Sequence, residues 1–481
     1  MNFIIFPHQL FYNNDKKLKE YDTIYLIEEP RYFTDFNFHK LKLAYHRASM
    51  KKYYDYLKKK KLNVKYIEFS QVNKTFYKSI KTADCINPVD HILEKNLSKL
   101  IKLNKLENIN FLVKSDEIDK IKKIAYTTKW NFSNFYKYQR TKLDILIHND
   151  KPVGNRWSFD TENRLAVPKN HKVVKTKYEK KNKYVIEAIN YVNKHFKNNY
   201  GSLDNFIYPI DNKSSIKWLK SFLKNKLDNF GKYEDAVLDD EEFIYHSVLS
   251  PMMNIGILTD EQVIKISYEY YNKHKSVGIE NFEGFIRQVI GWRNYVYTIY
   301  IVDGNKMRKE NFLSHNHKLP FDKFWKGETR IIPIDNIINK IINYSYAHHI
   351  ERLMYLGNFM LLCFIKPNDV YKIFMEWTID AYDWVMVPNV YGMSQYASIN
   401  MMTRPYFSSS KYVLRMSNYK KDNNWEIIWD ALYYNFINKH ETILKKNYAI
   451  AQQVNNWNNK SKKEQEELIE IATKFLKNYS K

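Results

Sequence analysis

Two adjacent histidines, His348 and His349, sit in the stretch YAHHIERLMYLGNFMLL, with Glu351 and Arg352 close behind. Imidazole is the side chain best suited to giving or taking a proton near neutral pH, so a titratable pair inside an apolar-periodic segment is a candidate proton donor. On one continuous helix His348 and Arg352 share a face at i, i+4, while His349 points roughly a quarter-turn away. The bland alternative is a core histidine satisfied by a carbonyl. A metal site has little support, because no other His or Cys lies at ligand spacing, and none is expected.

Three further stretches set polar chemistry in an apolar frame. In HSVLSPMMNIGIL, His246, Ser247 and Ser250 precede a helical apolar run, where hydroxyls and free N–H groups can meet phosphate oxygens or simply cap a helix. In NFEGFIRQVIGWRNYVY, Glu283 and Arg287 are spaced i, i+4 among Phe282, Phe285, Ile286, Val289 and Ile290. Such a pair is either a surface salt bridge or the polar lining of a ring-shaped cavity. In WTIDAYDWVMVPNVYGMSQY, Asp380 falls within what reads as an apolar helix, and a buried carboxylate there needs a donor. An arginine of the chain or a ring N–H of a ligand would serve. Walker-type, GxGxxG, HExxH and GxSxG motifs are absent, and the chain has only 11 glycines. Any cofactor phosphate must therefore be held by hydroxyls, side-chain amides and helix N-termini.

Bulk properties limit what these residues serve. A chain of 481 residues with 44% hydrophobic content and mean hydropathy −0.59 reads as soluble and globular, with room for more than one domain. No apolar run reaches the ~18 residues of a membrane span, and MNFIIFPHQLF lacks the basic start of a signal peptide. A cytoplasmic, nucleoid-associated protein with no membrane partner is expected. Cys85 and Cys363 are the only cysteines, which excludes a disulfide framework and any four-cysteine metal site. Net charge +24 and pI ≈ 9.4 suggest a polyanionic partner such as nucleic acid, although an AT-rich genome also enriches Lys, Asn, Ile and Tyr.

The elements that must position these residues fall into two kinds. NFIIF, TIYLIEE, NVKYIEF and INFLVKS read as strands between Lys-rich amphipathic stretches such as KLKLAYHRASMKKYYDYLKKKK, the alternation of βαβ units. A polar, turn-rich connector follows. From about residue 183 the helical period dominates, and IDNIINKIINYSYAHHIERLMYLGNFMLLCFI reads as one helix opened by Pro333 and Asp335. The expected architecture is α/β followed by all-α. A Rossmann-like parallel-sheet domain covers 1–132, an interdomain connector 133–185 and a larger all-helical domain 186–481.

Taken in order, FHKLKLAYHRASMKKY, KPVGNRWSFDTENR, NFGKYEDAV, HSVLSPMMNIGIL, EGFIRQVIGWR, YAHHIERLM…GNFMLL and DAYDWVMVPNVYGMSQ resemble the cryptochrome/photolyase family. Within it they are most similar to the bacterial group related to prokaryotic (6-4) photolyases. The resemblance spans nearly the whole chain and implies an antenna domain before a helical domain that binds FAD and DNA. Ser247, Leu249 and Ser250 would lie near the FAD phosphates, with His246 beside them. Arg352 and Asn358 would contact the cofactor, and Asp380 would face the polar edge of the flavin ring with Asn389 nearby. Glu283 and Arg287 would line the cavity between flavin and substrate, and Met393 and Tyr406 would face a flipped photoproduct. His348 and His349 match a pair of which one donates a proton to the lesion. Excited reduced flavin would pass an electron to the lesion and later recover it. The implied partner is UV-damaged DNA, bound by a monomer through its phosphates.

Departures from the family pattern carry their own expectations. Pro333 stands where the bacterial group commonly has the first of four cluster-binding cysteines, and RMSNYKKDNNWEIIWDALYYNF omits the segment bearing the others, so no iron–sulfur cluster is expected. Ile373 replaces a common Trp in YKIFMEW, which leaves Trp325, Trp377 and Trp384 as candidates for electron transfer. ASIN follows GMSQ where relatives tend to read ADGG. The loops FPHQLF and LIEEPRYF, with His8, Gln9 and Glu28, would hold an antenna chromophore of the ribityllumazine type. The leading reading is a light-driven DNA repair lyase of the (6-4) type. The alternatives are a cryptochrome-like FAD blue-light photoreceptor without repair activity, and a lyase for cyclobutane dimers, whose splitting needs no donated proton.

Overall fold

A computed structural model describes residues 1–162, 164–176 and 178–479; Asn163 and Lys177, within the connector, and the last two residues lie outside it. Five strands, β1 (Asn2–Ile5), β2 (Thr23–Ile27), β3 (Val64–Ile67), β4 (Thr82–Ile86) and β5 (Lys102–Leu106), form one parallel sheet in the order β3-β2-β1-β4-β5. β1 is central: Phe3 pairs with Ile24 on one side and Asp84 on the other. Phe3, Ile4 and Ile5 are all buried, as a strand covered on both faces requires. The Lys40–Lys59 helix is buried all round from Leu41 to Met50 and narrows to Tyr53 and Leu57 toward its end, as a helix sandwiched between two bodies requires.

The apolar pattern marks β1, β2 and β3 but not β4 and β5. TADCI carries Asp84 in mid-strand, where it accepts from the Tyr21 hydroxyl at 2.8 Å and the Asn104 amide at 2.9 Å. KLNKL is an edge strand with Lys102 and Lys105 exposed, a composition that protects an edge from pairing with other chains. INFLVKS, expected as a strand, is irregular. Its Phe111 stacks on Tyr297 at 4.0 Å, and the Leu112 N–H donates to Asn294 Oδ1 at 2.8 Å. Docking on the helical body satisfies this backbone in place of a ladder.

The Phe132–Leu143 helix lies inside the stretch read as connector yet packs on the helical body, with Phe132 stacked on Trp292 at 4.0 Å. Beyond the remaining loop, the chain is helical from Lys183 onward. The Ile332–Tyr344 helix buries Ile334, Ile337, Ile338 and Ile341, the i, i+3, i+4, i+7 face that its sequence lays out. Three π-helical turns interrupt the helices, at Arg287–Arg293, Glu351–Gly357 and Pro388–Ser394. Such turns are rare and concentrate at functional sites. Among the described residues no helix is long and apolar enough to cross a membrane.

Buried ions join the two bodies. Arg31, at the C-terminal end of β2, donates to Asp90 at 3.0 Å and to Asp383 of the helical body at 3.5 Å. Arg47 donates to Glu28 at 2.8 Å and to Glu187 at 2.7 Å. Lys42, fully buried, reaches across to the carbonyls of Met375 at 3.2 Å and Ala381 at 2.5 Å.

Candidate functional site

The histidine pair occupies a break between two helices, not the middle of one. Ser345 adopts φ +54 and ends the Ile332–Tyr344 helix. His348 then opens the next helix: its N–H donates to Glu351 Oε2 at 3.0 Å, and its carbonyl accepts from Arg352 N at 3.1 Å. Glu351, fully buried, is also held by Lys340. The expected continuous helix is thereby corrected. A reach-back carboxylate three residues on is a start signal, and it outweighs the apolar period that runs through it. The break turns the two rings apart. His348 is 1% exposed, whereas the His349 side chain is 44% exposed.

A third histidine joins them from about a hundred residues away. The His246 ring stacks on His348 with centroids 4.1 Å apart and planes at 13°, and lies 5.4 Å from the His349 ring. The loop that carries His246 is strained. Ile244 at φ +41 and Val248 at φ +51 are β-branched residues in the left-handed region, which costs about 1–3 kcal/mol each and persists mainly where a ligand site requires it.

Electrostatics separate the pair further. Burial, with the charges of His246, Lys340, His349 and Arg352 added, pushes the His348 pKa well below its ordinary value. For His349 burial also opposes the imidazolium, but the Asp235 hydrogen bond and the charges of Glu234 and Asp235 outweigh it and raise the pKa. Asp235 Oδ1 lies 3.3 Å from His349 Nε2. Glu234 is itself pushed up to about 7 by burial, against the pull of Arg287 and His349. One histidine is thus pushed toward the neutral form and the other toward the charged form, within a few ångströms.

The surface where His349 and Asp235 emerge is the mouth of the site; Arg352 and Asp380, both less exposed, form a forked ion pair with N···O distances of 2.9 and 3.1 Å. Ser250 Oγ donates to the same carboxylate at 2.6 Å, and Asn254 Nδ2 donates to the Asp380 carbonyl at 2.7 Å. Asp380 lies in the turn between the Pro367–Trp377 and Asp383–Val387 helices, which corrects its expected place within a helix. An arginine of the chain supplies the donor it needs. Lys42 grips carbonyls on both sides of this turn, so the sheet domain fixes where Asp380 sits.

Glu283 and Arg287 are buried together and are not a surface pair. Glu283 accepts from Tyr136 at 2.7 Å, the Phe159 N–H at 2.9 Å and Arg287 at 3.1 Å. Arg287 also reaches Ser158 at 2.8 Å, Asp160 at 3.3 Å and Glu234 at 3.4 Å. The pair ties the connector segment Ser158–Asp160 to Glu234, one residue from the partner of His349.

The remaining candidates lie at varying removes. Ser247 and Leu249 follow His246 in the strained loop, and the Ser247 carbonyl accepts from Trp218 Nε1 at 2.8 Å. Asn358 spends its amide on Met354 and Ser408, and Asn389 donates to the Val385 carbonyl at 2.7 Å. Met393 and Tyr406 are half-buried, and Tyr406 feels the charges of Arg404, Arg164 and Asp235 near the mouth. Trp377 is buried and stacks on Tyr200 at 5.0 Å, which meets half-buried Trp325 at 4.4 Å. Trp384 lies apart, against Phe111 and Arg293. Near the strand ends, His8 bonds the Pro88 carbonyl at 2.7 Å and Gln9 the Ile86 carbonyl at 2.7 Å. Glu28 there accepts from Arg47, Tyr66, Tyr191 and Phe69 N. Sequence reasoning missed Glu234, Asp235, Lys42 and Tyr200. An acidic pair inside a strongly basic chain is the signal that marked the first two.

A parallel-sheet body feeding a larger helical one, with a polar cluster at helix breaks in the latter, defines the photolyase-like class of two-domain folds. A family model described as deoxyribodipyrimidine photo-lyase-related protein matches residues 3–208. A (6-4) photolyase of Agrobacterium fabrum is 35% identical over 359 residues, covering 71% of this chain and 69% of that protein. The chain belongs to the cryptochrome/photolyase family. Its fold is similar to the crystal structure of a bacterial class III photolyase from Agrobacterium tumefaciens, with TM-score 0.56, 14% identity and 86% of each chain covered. It is equally similar to Synechocystis cryptochrome, with TM-score 0.57, 13% identity and coverage of 86% of this chain and 88% of that one.

Proposed function

We propose that this chain is a light-driven DNA repair lyase of the (6-4) type. The observation that carries the reading is the division of the histidine pair into an exposed, carboxylate-supported ring and a buried, neutral one. A lesion whose repair requires a donated proton needs such a group, and the similar Agrobacterium fabrum protein bears the name (6-4) photolyase.

The residues present fit a polar cofactor. His246 Nε2, both ring nitrogens of His348, Arg287 Nε and the Trp377 indole N–H are buried with no hydrogen-bond partner. Native chains rarely leave buried polar atoms unpaired, and those of His246 and His348 lie on two rings stacked against each other. In this reading Ser247, Ser250, Arg352 and Asp380 hold FAD, which when bound supplies the light-driven electron. The chain's own part is positional. Asp235 on Nε2 fixes the His349 ring and leaves Nδ1–H as the free donor toward the mouth. Neutral His348 packs the wall behind it without adding charge. Arg164, Arg404 and Arg415, all exposed and close enough to act on Tyr406 or Tyr412, give the rim a positive field for DNA phosphates. The Trp377–Tyr200–Trp325 contacts form an aromatic path from interior to surface. No iron–sulfur cluster belongs to the proposal, since Cys85 lies in β4 and Cys363 in the helical body, and two thiols cannot hold one.

The deciding experiment illuminates the FAD-containing protein with oligonucleotides carrying one defined photoproduct each. Restored thymines from the (6-4) product alone are expected. Restoration from the cyclobutane dimer alone overturns the lesion assignment, and flavin photochemistry with no restoration at all points to a photoreceptor.

A further inference from the structure

The histidine cluster offers lone pairs as well as protons. His246 comes from a loop and His348 and His349 from the start of a helix, and each presents a ring nitrogen within 4.8 Å of the others. His246 Nε2 and both nitrogens of His348 are buried and make no hydrogen bond, although Glu351 Oε2 lies 3.6 Å from His348 Nε2. Asp235 engages His349 Nε2 and leaves Nδ1 open, and a carboxylate behind an imidazole is the usual outer support of a metal ligand. Two nearby cations are already paired, Lys340 with Glu351 and Arg352 with Asp380, while the charge of buried Lys226 also bears on His246. The strained Ile244–Val248 loop holds His246 against the other two.

We propose that these three histidines form a binding site for a divalent transition metal of the zinc class, with the fourth position open toward the mouth. Three imidazoles and one exchangeable position are a donor set zinc accepts, whereas calcium and magnesium require oxygen ligands. Nitrogens bound at about 2.0–2.1 Å to a tetrahedral ion stand about 3.4 Å apart. The rings therefore close inward by roughly an ångström, and His246 turns out of its stack on His348. The exposed side chain of His349 has the freedom to complete this closure. Coordination through His349 Nδ1 displaces the proton carried there, because metal binding requires the neutral imidazole. A bound metal thus silences the proton donor, a consequence that rests on the repair reading, while the site itself does not.

The test uses the full-length, FAD-containing protein after treatment with a chelator. Zn²⁺ is titrated against a chromophoric chelator, and Co²⁺ is added separately for its visible absorption. One tight equivalent and a tetrahedral cobalt spectrum are expected. His348→Ala and His349→Ala should each weaken zinc binding by at least about tenfold, and the exposed control His274→Ala should not. Because His349 is exposed, its replacement spares the fold, so a misfolded His348→Ala protein leaves the test intact. Equal zinc affinity in the wild type and His349→Ala, or an octahedral cobalt spectrum, overturns the site. Repair of the (6-4) oligonucleotide should slow as zinc fills the site and recover with chelator. Full-rate repair by zinc-saturated protein overturns the silencing. Absence of repair in chelator alone is a failure of the repair reading, and the zinc affinities then still decide the site.

Discussion

Two buried charged clusters in this chain keep opposite hydrogen-bond accounts. At the junction of sheet and helices, Asp383 receives Arg31, Arg308, Tyr300 and Tyr371 at once. Burial opposes its charge, but Arg308 and Arg31 outweigh that and hold its pKa below the usual carboxylate range. Around His246 and His348, by contrast, three ring nitrogens have no partner and the backbone nearby is strained. The Asp383 carboxylate is fully used by donors of this chain, with buried Arg308 Nε left without a bond. The second cluster leaves polar atoms that this chain itself does not bond. Buried polar groups therefore divide by saturation: a carboxylate with four donors holds the fold together, and a group of open imidazoles points to a ligand.

That contrast breaks if the open cluster proves inert, and His349→Ala asks this most directly. Loss of a positioned proton donor should lower (6-4) repair by about 10²–10⁴-fold. Flavin content should stay intact, and the urea midpoint should shift little, because an exposed ring contributes within about 0.5 kcal/mol. Repair that survives at wild-type rate moves the proton to another group. The saturated cluster should answer in the reverse way. Asp383→Ala leaves Arg308 without its carboxylate and Arg31 with only Asp90 and Asp35, and should cost about 3–5 kcal/mol of unfolding free energy, with repair per folded molecule unchanged. Since the folded-state pKa of Asp383 is depressed, its contribution is present above the unfolded carboxylate value and is lost as pH falls through the folded one. Wild-type stability should decline across that acid window, and the variant should decline less steeply. Equal acid slopes in chemical denaturation would remove Asp383 from the account.

The same contrast explains what the sequence made legible. Residue types at the open cluster stand out because histidine pairs and hydroxyls in apolar frames are conspicuous. Their assembly does not, because His246 and His348 meet only through tertiary packing. The helix break at Ser345–His348 hides under an unbroken apolar period, and only Glu351, three residues past His348, betrays it. In the sheet, β1 to β3 are written in apolar residues. β4 is masked by Asp84 and β5 by its lysines, since an edge strand is built to look polar. The saturated cluster was almost invisible, because Arg31, Asp90 and Asp383 are far apart in sequence and each looks like ordinary surface charge.

Asp235→Asn makes the smallest change and sharpens the comparison most. Asparagine keeps the size and a hydrogen-bonding oxygen but removes the charge that helps hold His349 protonated. In the wild type His349 has a raised pKa, so the donor is charged below that value and repair should fall as pH rises through it. Without the Asp235 carboxylate, burial and Arg352 act against the imidazolium with only Glu234 opposing them, so the alkaline limb should move to lower pH. Glu234 is itself pushed up to about 7, so its support fades just where it is needed. Near neutral pH we expect roughly a tenfold loss of repair, recovered on acidification. A pH-independent loss would instead mean that Asp235 orients the ring without charging it. The open cluster would then owe its chemistry to shape, not to its field.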